Sequence, residues 1–115
     1  MKSKSSEYQP LVLPDKLDEL FKMQREFQDE HGYWPDLHHV CAAGAAEFLE
    51  LWAKSGGKWW KKHKVALKEE QVEELVDVLH FFLLACLKLE ITPLELFDAY
   101  KEKLNVNIER AKNNY

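Results

Sequence analysis

The sequence predicts an all-α fold of four helices joined by short connectors, and three observations carry that prediction. Apolar residues recur at three- and four-residue spacing in separate stretches, and no run alternates apolar and polar with the period of two that marks a half-buried strand. The breaks between stretches hold residues that start and stop helices: Asp15, Gly32, Pro35, Gly56-Gly57 and Thr92-Pro93. With 115 residues, 46% of them hydrophobic and 31% charged, the chain suits one globular domain. It has no internal repeat and no low-complexity segment.

Residues 1–13 are polar and Ser/Lys-rich without periodicity, and are expected to form a flexible N-terminal arm. Residues 14–115 are expected to form the domain. The first helix is expected over 15–31: Leu17, Leu20, Phe21, Gln24 and Phe27 make a narrow stripe, Asp15 is the N-cap and Gly32 the left-handed stop. GYWPDLHH is a connector, broken by Pro35. The second helix is expected over 37–55, with Asp36 as cap and Gly56-Gly57 as stop. Its middle, Cys41 to Ala46, is made of small residues that let another helix approach closely. KWWKKHK, residues 58–64, follows as a turn or loop.

The third helix is expected over 68–90. Glu69, Glu70, Glu73 and Glu74 suit the positive end of its dipole. From Leu75 to Leu87 it is apolar on every side apart from Asp77 and His80, which predicts a central, buried helix. The fourth helix opens on Thr92-Pro93-Leu94-Glu95, a capping box with Pro at the first helical position, and continues to Lys112.

Sixteen basic and twenty acidic side chains give a net charge of −4, which argues against nucleic-acid binding. Cys41 and Cys86 lie in apolar runs and read as buried thiols in a reducing compartment. The N-terminus lacks the apolar core of a signal peptide. The apolar stretch from Val78 to Leu87 is interrupted by His80 and falls short of the roughly 20 residues that span a bilayer. A cytoplasmic location is therefore expected.

Asp77 is the most informative residue. A lone carboxylate inside a greasy helix must be paired, protonated or bound to a metal. Glu74 is three residues earlier, on the same face. Glu47 and Glu50 repeat that spacing in the second helix, among small and apolar residues. Glu47 and Glu50 can also be read as a solvated helix face, whereas Asp77 has no polar face to belong to and can otherwise be read only as protonated or as a partner of His80. Four acids facing one groove repel one another unless cations lie between them, and an all-oxygen set selects Mg²⁺, Mn²⁺ or Ca²⁺.

Glu47-x2-Glu50, then 23 residues, then Glu74-x2-Asp77 resembles the acidic signature of the all-α nucleoside triphosphate pyrophosphohydrolases, the superfamily of MazG-type enzymes and dimeric dUTPases. Further segments are similar to the dUTPase branch: LDELFKMQREFQDEHG to its first helix, Lys58 and Trp60 to its FKxW element, EELVDVLHFFLLACLKL to its EExVDxLHFLLSLxLxL helix, and YKEKLNVNIER to its KxxxNxxR stretch.

The resemblance implies that Glu47, Glu50, Glu74 and Asp77 bind Mg²⁺, with Mn²⁺ as a substitute, and that Glu47 or another of the acids helps activate a water. It implies a nucleoside triphosphate substrate, dUTP foremost, and the products dUMP and pyrophosphate. Lys58, Lys103, Asn107, Arg110 and Tyr115 would contact phosphate, Trp60 would cover the nucleotide, His80 and Phe81 would meet the sugar, and Gln24 would read the uracil edge. Without the resemblance, Phe81 reads equally as core, KWWKKHK as a basic surface loop and the 103–110 stretch as a solvated face.

The chain also departs from that pattern. Where the family continues ELxNExR, the run here is Glu50-Leu-Trp-Ala-Lys54. The Phe of FKxW is Gly57, and Leu104 and Ala111 replace the family's Asn and Gln. These changes leave the acids intact and weaken the case for strict uracil selectivity, so that a broader MazG-like pyrophosphohydrolase acting on dCTP or modified nucleotides is the alternative enzyme. An alternative of another class is a non-catalytic helical interaction module that keeps the acids as a structural or cation-sensing site. Four short helices cannot both surround the third and close a nucleotide pocket, so at least a homodimer is expected.

Overall fold

In the computed structural model, which describes residues 15–62 and 65–113, four helices run in chain order: α1 (Lys16–His31), α2 (Leu37–Lys54), α3 (Lys68–Lys88) and α4 (Pro93–Lys112). No strand occurs among the described residues.

Local chemistry sets the ends. The Asp15 carboxylate accepts from the Asp18 amide at 2.9 Å while Asp18 accepts from the Asp15 amide at 3.3 Å, and Gly32 takes the left-handed conformation at φ 65° that closes α1. Thr92 and Glu95 exchange the same pair of bonds at 3.0 and 2.7 Å, with Pro93 opening α4. Asp36 occupies the N-cap position of α2 but its side chain makes no capping bond. Helix α3 stops at Lys88, and Glu90 turns the chain through φ 56°.

The core is small. Phe21 of α1 packs with Leu83, Cys86 and Leu87 of α3, and Leu17, Leu20, Trp34, Ile91 and Leu96 close around them. Helices α2 and α3 lie antiparallel along most of their length. They pack tightly at Gly44, where an added Cβ would stand 3.2 Å from the Phe81 Cβ. The small residues of α2 thus do what their size predicts, and they hold the acid-bearing faces of the two helices together.

Two expectations need correction. Helix α3 is not buried all round: Val72, Leu75, Val76, Leu79 and Phe82 are exposed, and they continue onto Phe48 of α2. Cys41 is exposed as well, and only Cys86 is buried. The cause is geometric, since α1 and α2 flank α3 while α4 meets the core only at its first turn, through Leu96. One copy therefore leaves an apolar face open.

Candidate active site

The antiparallel pairing of α2 and α3 brings Glu47 opposite Glu74 and Asp77. Each offers one carboxylate oxygen, these oxygens lie within 4.8 Å of one another, and all three side chains are partly buried. Partial burial, then the charges of Asp77 and Glu74, push the Glu47 carboxyl above its ordinary range. Glu50 is exposed and stands outside this group. An all-oxygen set that resists its own negative charge fits a hard divalent cation.

Glu74 has a partner the sequence reading did not provide. Lys54 Nζ lies 2.8 Å from Glu74 Oε1, and the Glu74 side chain is only 13% exposed. The bond to Glu74 keeps the Lys54 ammonium protonated above its ordinary range. Helix α2 thus supplies a cation of its own to the acid group, beside the His80 that the sequence offers to Asp77. The signal was present: residues 47, 50 and 54 follow the i, i+3, i+7 rhythm of one helix face.

Beside the acids a cleft of about 400 Å³ is lined by Gln24, Phe27, Gln28, Glu47, Asp77, His80, Phe81 and Leu84. A chain of hydrogen bonds crosses its α1 wall. Gln28 Nε2 donates to the Tyr33 carbonyl, Gln24 Nε2 donates to Gln28 Oε1 at 2.9 Å, and Gln24 Oε1 meets His80 Nδ1 at 2.8 Å. A backbone carbonyl only accepts. It therefore orients the Gln28 amide, which orients Gln24, which leaves His80 Nδ1 as the donor. Gln28, which is not among the expected site residues, belongs to this wall, and its place four residues beyond Gln24 on the same face is the sequence signal for it.

The remaining expected residues lie elsewhere. Lys58 and Trp60 belong to the turn after α2 and do not line the cleft; Trp60 tilts against Trp52, ring centroids 6.1 Å apart. Gly57 lies under the Trp52 indole, where any side chain would collide, so Trp52 fills space that the family's Phe would need. Lys103, Asn107 and Arg110 are exposed on α4 and line no part of the cleft. Tyr115 lies outside the described residues. Asp36, His38 and His39 form a second, wholly exposed group at the start of α2, where the helix dipole opposes a cation.

Residues 14–96 match the model of a family of all-α hydrolases that act on a nucleoside triphosphate. That family is dUTPase, and the chain belongs to it. The match takes in every cleft residue and all four acids, and it ends before Lys103. Searches of curated proteins and of solved structures return no match. A hydrolase leaves no place for the reading as a non-catalytic module.

Proposed function

We propose that the chain is a Mg²⁺-dependent dUTP diphosphatase, converting dUTP and water to dUMP and pyrophosphate. The observation behind this reading is that Glu47 and Asp77 share one cleft with Gln24 and His80. Carboxylates suited to a cation and its polyphosphate thus stand beside an amide and an imidazole suited to a nucleoside.

Glu47, Glu74 and Asp77, with Glu50 one turn along α2, would hold Mg²⁺ or its substitute Mn²⁺. When bound, the ion supplies positive charge against the polyphosphate and makes a nearby water more acidic. Glu47 would receive the proton of the attacking water at a carboxylate oxygen it keeps free of the ion.

Gln24 reads the base. An amide has two N–H donors and two acceptor sites, and Gln28 and His80 use one of each. One donor and one acceptor are left, side by side, and they complement the N3–H and carbonyl oxygen of uracil. Cytosine presents the reverse order, and the Tyr33–Gln28 chain stops Gln24 from flipping to suit it. His80 keeps Nε2 for the 3′-hydroxyl, and Phe81 stands against C2′ to exclude a ribose hydroxyl.

Lys58, Lys103, Asn107, Arg110 and Tyr115 serve the phosphates and Trp60 covers the nucleotide. Because α4 does not line the cleft, its residues would reach the triphosphate of a second copy. The exposed face of Phe48, Val72, Leu75, Val76, Leu79 and Phe82 supports at least a homodimer. Residues 14–115 would act as one domain in the cytoplasm, and the free thiols of Cys41 and Cys86 suit a reducing compartment. Among the described residues no helix is long and apolar enough to cross a membrane.

A broader dNTP pyrophosphohydrolase is the second reading, favoured by the departures at Lys54, Gly57, Leu104 and Ala111. Pyrophosphate release from dUTP, dCTP and dATP, with and without Mg²⁺, separates the two. The proposed enzyme prefers dUTP and is silent in EDTA, whereas similar rates on all three nucleotides select the broader activity.

A further inference from the structure

Lys54 is the residue of the acid cluster that the family pattern does not explain. Laid on Glu50, that pattern places an acid at position 54, and this chain has a base there. The base is not loosely solvated: its ammonium takes one oxygen of Glu74 at 2.8 Å, across the α2–α3 interface. Glu47, Glu74 and Asp77 carry three formal negative charges, and Lys54 offsets one of them. Glu50, the remaining acid, stands outside the group.

We propose that Lys54 is a positioning residue, a built-in cation that competes for Glu74 and weakens divalent binding at the acid cluster. It acts through Glu74 and through its own charge. It is displaced only when an arriving cation offers more to Glu74 than the ammonium does, and Glu70 and Glu73 provide nearby negative charge to receive it. The chain thereby disfavours loading in the absence of a polyphosphate that brings its own share of ligands. This inference rests on the metal reading of the acids given above.

Calorimetric titration of the substrate-free chain with Mn²⁺ tests it. Removing a monovalent charge roughly 6 Å from a divalent ion is worth about tenfold in affinity at water-like screening. Lys54→Met should bind Mn²⁺ about tenfold more tightly than wild type, Lys54→Gln should do the same, and Lys54→Arg should keep wild-type affinity. Lys54→Gln provides the test if Lys54→Met does not fold. Equal or weaker binding by the neutral variants overturns the role of Lys54 while leaving the acid site standing. If neither wild type nor the neutral variants bind Mn²⁺, the acid site itself falls, and Lys54 with it.

Discussion

Gln24 and His80, 56 residues apart in sequence, meet at 2.8 Å, and the direction of their bond is dictated by a carbonyl two steps away. Tyr33 orients Gln28, Gln28 orients Gln24, and Gln24 leaves His80 protonated on Nδ1. The cleft wall is thus preorganised by the connector that follows α1.

Gln28→Leu tests that wall. It keeps most of the buried volume and removes the anchor, so the Gln24 amide can flip. The preference for dUTP over dCTP, measured as the ratio of kcat/KM, should fall by about fivefold, the worth of roughly 1 kcal/mol of hydrogen bonding. An unchanged ratio means that the base is read elsewhere.

Asp77→Asn keeps the shape of the acid cluster and removes one charge. Loss of a fixed electrostatic partner at a reacting phosphate costs roughly 10²–10³ in rate. Pyrophosphate release should drop by that factor, and the rise in melting temperature on adding Mg²⁺ should shrink. Full activity would remove Asp77 from the site.

Glu47 ties stability to pH. Its carboxyl holds protons more tightly in the folded chain, so without metal the folded state is penalised as pH rises above about 4.5, and the penalty is complete once pH exceeds the raised folded value. Glu47→Gln should therefore melt higher than wild type in EDTA at pH 7, with the difference vanishing toward pH 4. Melting curves across a pH series read this directly, and a variant that melts lower at pH 7 contradicts it.

Gly44→Val probes the α2–α3 contact. With only 3.2 Å between an added Cβ and Phe81, the larger side chain must push the helices apart or turn the ring. The expected loss of stability is about 1–3 kcal/mol. Discrimination between dUTP and UTP should weaken as well, because Phe81 lines the cleft. Urea unfolding and paired kinetics give both numbers.

Much of this was written locally in the chain. Asp15, Gly32 and Thr92-Pro93 end helices through bonds to near neighbours, so their roles are visible in a few letters. Glu47, Glu74 and Asp77 were legible because carboxylates in greasy surroundings demand an explanation. Asp36 was misleading, since its position suits a cap but its side chain does not make the bond. The exposure of Cys41 and of the outer side of α3 depends on which faces the other helices leave uncovered, which no local pattern encodes. Lys54 follows the correct helical rhythm, yet its bond to Glu74 spans 20 residues and appears only once the two helices are paired.

The indole of Trp52 lying over Gly57 constrains how this chain can change over generations. A bulky ring on the helix and a bare position in the turn are two halves of one exchange of volume. An aromatic restored at 57 alone would collide with the indole, whereas shrinking the half-exposed Trp52 first would clear the space for it. The order of the two changes therefore matters: the larger residue at 57 is admitted only after the ring at 52 has given way.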